Sequence, residues 1–101
     1  MLLFKPEFVT PILEGRKTQT RRIHKCPRRV GSIHNCQVSF DDKPFCRVLI
    51  TRVFQQMLCD ISDTDIKKEG FASRKEFFEY FKRFGGNCSS VITVYEFKVC
   101  T

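Results

Sequence analysis

Ile12-Leu13-Glu14-Gly15-Arg16-Lys17-Thr18-Gln19-Thr20-Arg21-Arg22 is the stretch on which the reading of this chain turns. Upstream of Gly15, the positions Phe8, Ile12 and Leu13 fall at helical spacing, so Pro6 to Glu14 predicts a short helix. Pro11 must kink that helix or restart it with Thr10 as N-cap, and Gly15 suits a left-handed C-terminal stop. The Thr-rich run from Lys17 to Ile23 then predicts a strand. On it Thr18, Thr20 and Arg22 share one face, with Gln19 and Arg21 on the other. A threonine hydroxyl becomes a nucleophile only when a base takes its proton. A lysine can be that base only when neutral, which requires burial or crowding by other cations. Arg16, Arg21 and Arg22 are near enough in sequence to crowd Lys17. Lys17 and Thr20 do not face each other on a regular strand, so their meeting requires irregular backbone beside Lys17.

Outward from this stretch, Leu2-Leu3-Phe4 reads as a short first strand, and residues 24–32 as a loop carrying Pro27 and Gly31. Ile33 to Phe40 and Phe45 to Phe54 read as strands joined by the turn Asp41-Asp42-Lys43-Pro44, hence a hairpin. Ser62-Asp63-Thr64-Asp65 has capping-box spacing and opens a short helix to Glu69, stopped by Gly70. Ser73-Arg74-Lys75-Glu76 repeats the signature for a longer helix to about Phe84, with Phe77, Phe81 and Phe84 as its apolar stripe. Gly85-Gly86 breaks it, and Val91 to Val99 closes the chain as a strand. Strands at both ends with helices inserted between them predict an α+β fold. We expect a small, mainly antiparallel β-barrel with flanking helices, as a single domain over residues 1–101.

With 101 residues, 42% hydrophobic and 29% charged, the chain has the composition of a globular protein. No apolar run approaches the ~20 residues of a membrane span. Met1-Leu2-Leu3-Phe4, cut off by Lys5 and Pro6, is too short for a signal-peptide core, which leaves the cytoplasm as the expected location. There the six cysteines, at 26, 36, 46, 59, 88 and 100, stay reduced and serve mostly as small apolar core residues. Within residues 1–30 eight basic residues stand against two acidic ones, whereas beyond residue 59 the two kinds balance. So polarised a charge predicts a face that meets phosphate or another polyanion, its candidates being Arg16, Lys17, Arg21, Arg22, Lys25, Arg28 and Arg29. A merely solvated basic loop and a docking face for an acidic protein partner are the other readings of the same charge.

Ile12-Leu13-Glu14-Gly15-Arg16-Lys17-Thr18-Gln19-Thr20-Arg21-Arg22 resembles the I-L-x-G-x-K-T-x-T-x-R signature of ASCH domains, a branch of the PUA-like barrel superfamily. Arg52-Val53, Asp60-Ile61-Ser62-Asp63, Lys68-Glu69-Gly70-Phe71, Phe77-Phe78 and Val94-Tyr95-Glu96-Phe97 are similar to later segments of the family, in matching order along nearly the whole chain. The resemblance implies a β-barrel with a cleft facing RNA or a nucleotide, residues 16–29 at its edge, and no cofactor. It also implies a second activity, since some members hydrolyse the acetyl amide of N4-acetylcytidine with a Lys proton acceptor, a Thr nucleophile and a Glu proton donor. Those roles would fall on Lys17, Thr20 and Glu69, with Arg22 stabilising an oxyanion or holding a phosphate. The long basic run from Arg21 to Arg29 fits a longer RNA better than a free nucleoside. By helix position alone, Glu69 reads as a solvated last-turn residue, although an acid at the negative end of a helix is mildly unfavourable there.

Two further patterns invite chemistry. His24-Lys25-Cys26 and His34-Asn35-Cys36 are near-copies ten residues apart whose side chains, in extended backbone, would share a face as zinc ligands do; their spacing is not that of established zinc modules. No metal is therefore assigned. Among the eleven Phe residues most read as core, while Phe40 and Phe45, flanking a turn, are the candidates for stacking on a base.

Overall fold

The computed structural model describes residues 1–23 and 28–100. Five strands form one sheet: β1 (Leu2–Leu3), β2 (Gln19–Arg22), β3 (Ile33–Gln37), β4 (Cys46–Met57) and β5 (Val91–Val99). Their order is β1-β3-β4-β5-β2, antiparallel throughout except for the parallel pair β1 and β3. The expected α+β, mainly antiparallel architecture is therefore present, as a half-barrel whose edges are β1 and β2. Arg22 on β2 reaches across the gap, its Nη2 donating to the carbonyl of Leu3 at 2.9 Å.

Three helices flank the sheet: α1 (Val9–Leu13), α2 (Asp63–Lys68) and α3 (Arg74–Arg83). The first helical stretch breaks earlier than expected. A 3-10 turn over Pro6–Phe8 precedes α1, and Thr10 is not its N-cap. Pro11 sits in the first turn of α1, where its missing N–H costs nothing. Both predicted caps hold: Ser62 accepts from the Asp65 amide and Ser73 from the Glu76 amide. Phe77 and Phe81 are buried on α3, but Phe84, at its C-cap, is exposed; its ring meets Tyr80, and the Lys5 amine lies 5.7 Å over it. Among the described residues no helix is long and apolar enough to cross a membrane.

Burial along β5 does not alternate. Tyr95 and Phe97 join one apolar cluster with Leu2, Phe4, Phe8, Ile12, Val48 and Ile50. Ile92, from the opposite face, joins a second with Leu58, Ile61, Ile66, Phe77 and Phe81. β5 is thus covered on both faces, which alternation alone could not reveal. A register shift between Ile50 and Arg52 interrupts the pairing of β4 with β5, and Cys46, Val48 and Ile50 before it and Val53 after it all face the first cluster. Phe71 and Tyr80 pack against both.

The reduced-thiol expectation needs correction. Cys36 and Cys46 are buried core residues as expected, but Cys59 and Cys88 form a disulfide with a Cα–Cα distance of 4.7 Å, and Cys100 is exposed. The register of β4 on β5, with Met57 opposite Val91, delivers the segment that leaves β4 and the segment that enters β5 to one place. There Leu58 N donates to Ser90 O and Cys59 N to Cys88 O. Residues 29 positions apart in sequence become neighbours only through that pairing.

Candidate active site

Lys17 precedes β2 in an irregular segment. Its amide donates to Pro11 O, and the next amide, of Thr18, donates to Lys68 O at the end of α2. This docks the start of β2 against the turn where α2 ends and Glu69 begins. Gly70 follows in a left-handed conformation (φ +96°), turning the chain so that Glu69 faces inward. Lys17, Thr20, Arg21 and Glu69 are each at most 4% exposed. Together with Arg22 they line one small, partly open cavity of about 50 Å³, walled by Leu3, Phe4, Phe8, Phe71, Tyr80 and Phe81. The three residues assigned to catalysis by resemblance, distant along the chain, therefore share one cavity.

The electrostatics follow from burial. Lys17 Nζ donates to the backbone carbonyls of Gln19, at 2.9 Å, and of Glu69, and stands 3.5 Å from Glu69 Oε1. The ring of Phe8 lies 4.6 Å away. Loss of solvent lowers the Lys17 pKa to about 8, with Glu69 opposing the shift and Arg22 and Arg21 assisting it. A neutral amine has two N–H donors and one lone pair. The two carbonyls occupy both donors, which leaves the lone pair to accept a proton. Crowding by Arg21 and Arg22 was expected; desolvation is the larger cause, and Arg16 takes no part in it.

Glu69 Oε2 accepts from Arg21 Nη1 at 2.8 Å. Arg21 also donates to Gln19 Oε1 at 2.9 Å and Gln56 Oε1 at 3.0 Å, and Asp65 Oδ2 is 3.7 Å away. Gln19 Nε2 is in turn held by Glu96 at 2.8 Å. Arg22 stacks on Phe4, its guanidinium carbon 4.9 Å from the ring centre; burial, then Arg28, lowers its pKa from the usual arginine value.

The basic stretch is divided by the fold rather than displayed as one stripe. Lys17 and Arg21 are turned inward, because β2 is covered on both faces, and they are bound to Glu69 instead of facing solvent. Arg16 and Arg29 are exposed, the former paired with Glu14. Arg28 is partly buried; its side chain donates to Met1 O at 2.7 Å and its amide to the Tyr95 hydroxyl at 3.3 Å. Lys25 lies outside the described residues, as do His24 and Cys26 of the first H-x-C pair. Of the second pair, His34 is bonded to Ser32 Oγ at 2.8 Å and Cys36 is fully buried against Cys46. Among the described residues no three potential metal ligands come together. Phe40 is 74% exposed, whereas Phe45 packs on Phe4.

Sequence reasoning did not anticipate the aromatic wall of Phe4, Phe8, Phe71 and Tyr80, or the partners Asp65 and Gln56. The signal for Tyr80 was present, since it lies one turn before Phe84 on the apolar side of α3. Outside the cavity, a groove of about 240 Å³ shares Phe8, Phe71 and Tyr80 with it and is rimmed by Glu7, Glu76, Glu79 and Arg83.

No family model matches the sequence, and no curated protein does. Solved structures do match. An ASCH domain from Lactobacillus crispatus superposes with a TM-score of 0.71 at 19% identity, over 98% of this chain and 77% of the other. A protein from Enterococcus faecalis gives 0.73 at 17% identity, over 92% and 69%. The ASCH protein of Zymomonas mobilis gives 0.71 at 16% identity, over 96% and 64%. At such identities the likeness establishes the fold.

Proposed function

From a chain that has the ASCH fold, we propose an amidohydrolase that removes a short acyl group from the exocyclic amine of a cytidine-type nucleoside. The observation that supports this reading is that Lys17, Thr20 and Glu69 line one small, partly open cavity, with the Lys17 pKa brought down to about 8. Lys17 takes the Thr20 proton, and Thr20 Oγ1 attacks the acyl carbonyl carbon. The proton reaches the departing nitrogen through Glu69, 3.5 Å from Lys17 Nζ, as the C–N bond breaks. Water then hydrolyses the acyl-threonine to a carboxylate and restores the hydroxyl. The cavity is too small for a nucleoside. The base belongs in the adjoining groove against Phe8, Phe71 and Tyr80. Three glutamates on that groove's rim disfavour a polyphosphate and favour an uncharged nucleoside.

Incubation with N4-acetylcytidine and measurement of cytidine release tests the reading. The wild type turns over, Thr20→Ala loses at least ~10³-fold, and kcat/KM rises with pH through a midpoint near 8 as Lys17 loses its proton. No turnover by the wild type, or full activity in Thr20→Ala, removes the proposal.

RNA binding is the second reading, and the basic excess of residues 1–30 favours it. Affinity for single-stranded RNA would then fall linearly on a log scale with salt. Binding no tighter than to heparin would set this reading aside.

A further inference from the structure

Arg21 and Arg22 each keep a buried Nε–H with no acceptor among the described residues, and both residues line the small, partly open cavity. Buried donors are almost always satisfied, because one left without an acceptor loses its water and gains nothing in return. The charge around the cavity is unbalanced in the same sense. Lys17, Arg21 and Arg22 bring three cationic groups to it, and Glu69 is its one lining carboxylate. Asp65 reaches Arg21 from outside at 3.7 Å and is itself 23% exposed. Excess buried positive charge and orphaned N–H donors both call for an anionic oxygen acceptor.

The cavity's size limits what that acceptor is. A buried water needs ~10–15 Å³, so about 50 Å³ admits roughly four heavy atoms. Five rings, of Phe4, Phe8, Phe71, Tyr80 and Phe81, wall the space and suit an apolar methyl as well as a planar carboxylate. We propose that this cavity is a receptor for a short carboxylate, one or two carbons long, whose oxygens accept from the Nε–H groups of Arg21 and Arg22. The inference rests on the reading above in placing the acyl end of the substrate here, so that the released carboxylate occupies the cavity after each turnover. A carboxylate arriving from solution meets the same groups.

Titration of the free full-length protein with acetate, followed by calorimetry or by ¹³C-acetate NMR, reads the site without any hydrolysis. One acetate binds per chain, formate binds comparably, and butyrate at least tenfold more weakly. Arg22→Lys retains the cation and removes the Nε–H, and it lowers acetate affinity at least tenfold. Thr20→Ala, inactive in the hydrolysis assay, still binds acetate. Equal binding of butyrate and acetate, acetate binding no better than chloride, or unchanged affinity in a folded Arg22→Lys each overturns the inference. The wild-type chain-length series decides the matter even if Arg22→Lys does not fold. Turnover without saturable acetate binding rejects the receptor and leaves the hydrolase; acetate binding without turnover does the reverse.

Discussion

Glu69 is where the chemistry of single residues bears hardest on this protein. Placed at the end of α2, it reads in sequence as a solvated side chain. In the fold it is 2% exposed and is the buried counter-charge for both Arg21 and Lys17. Removing one partner of a buried ion pair leaves the other uncompensated, at ~3–5 kcal/mol. Glu69→Gln, which preserves shape, is therefore expected to lose stability of that order in urea unfolding. It should also lower the Lys17 pKa further, since Glu69 opposes the downward shift; the titration of the Lys17 side chain by NMR checks this. Lys17 itself makes the protein more stable as pH rises. Its folded pKa, about 8, lies below the unfolded 10.5, so between those values the unfolded chain holds the extra proton. The candidate identities of Lys17, Thr20 and Glu69 were legible through their motif. Their burial was not, because nothing local distinguishes a lysine before a strand that will be covered from one that stays in water.

At the scale of elements, the site depends on how α2 ends. Ser62 caps its start, and Gly70, at φ +96°, turns the chain after Glu69. A Cβ at Gly70 would lie 3.3 Å from Phe8 Cδ1 and 3.4 Å from Lys17 Cδ, in a backbone conformation that L-residues rarely adopt. Gly70→Ala should cost about 1–3 kcal/mol and, by pressing on Phe8 and Lys17, impair hydrolysis beyond its effect on stability. Thermal unfolding and kcat/KM measured side by side separate the two. Capping and stop signals were readable for α2 and α3 because they are interactions within four or five residues. β2 misled for the opposite reason: alternation implies one wet face, but Gln19 and Arg21 are buried among Glu69, Gln56 and Glu96, while Arg22 on the other face packs on Leu3 and Phe4.

Across the whole molecule, the Cys59–Cys88 bond ties the end of β4 to the loop that enters β5, closing a span of 29 residues. Loop-closure entropy puts its contribution at roughly 3–4 kcal/mol. Reductant, or Cys88→Ser, should lower the unfolding midpoint correspondingly in denaturant titrations, while Cys36→Ser leaves the reductant effect intact. The ordered succession of strand, capped helix and strand sufficed for the α+β class, the hairpin and the boundaries of α2 and α3, since these depend on short-range periodicity and on capping groups a few residues apart. The resemblance to the ASCH signature singled out the lysine, the threonine and the glutamate. Only the tertiary structure decided that Arg21 points inward, that an aromatic wall lines the cavity, and that Cys59 meets Cys88. Each of these depends on segments brought together from across the chain, where burial reverses the cost of a charge and no local pattern records the neighbour.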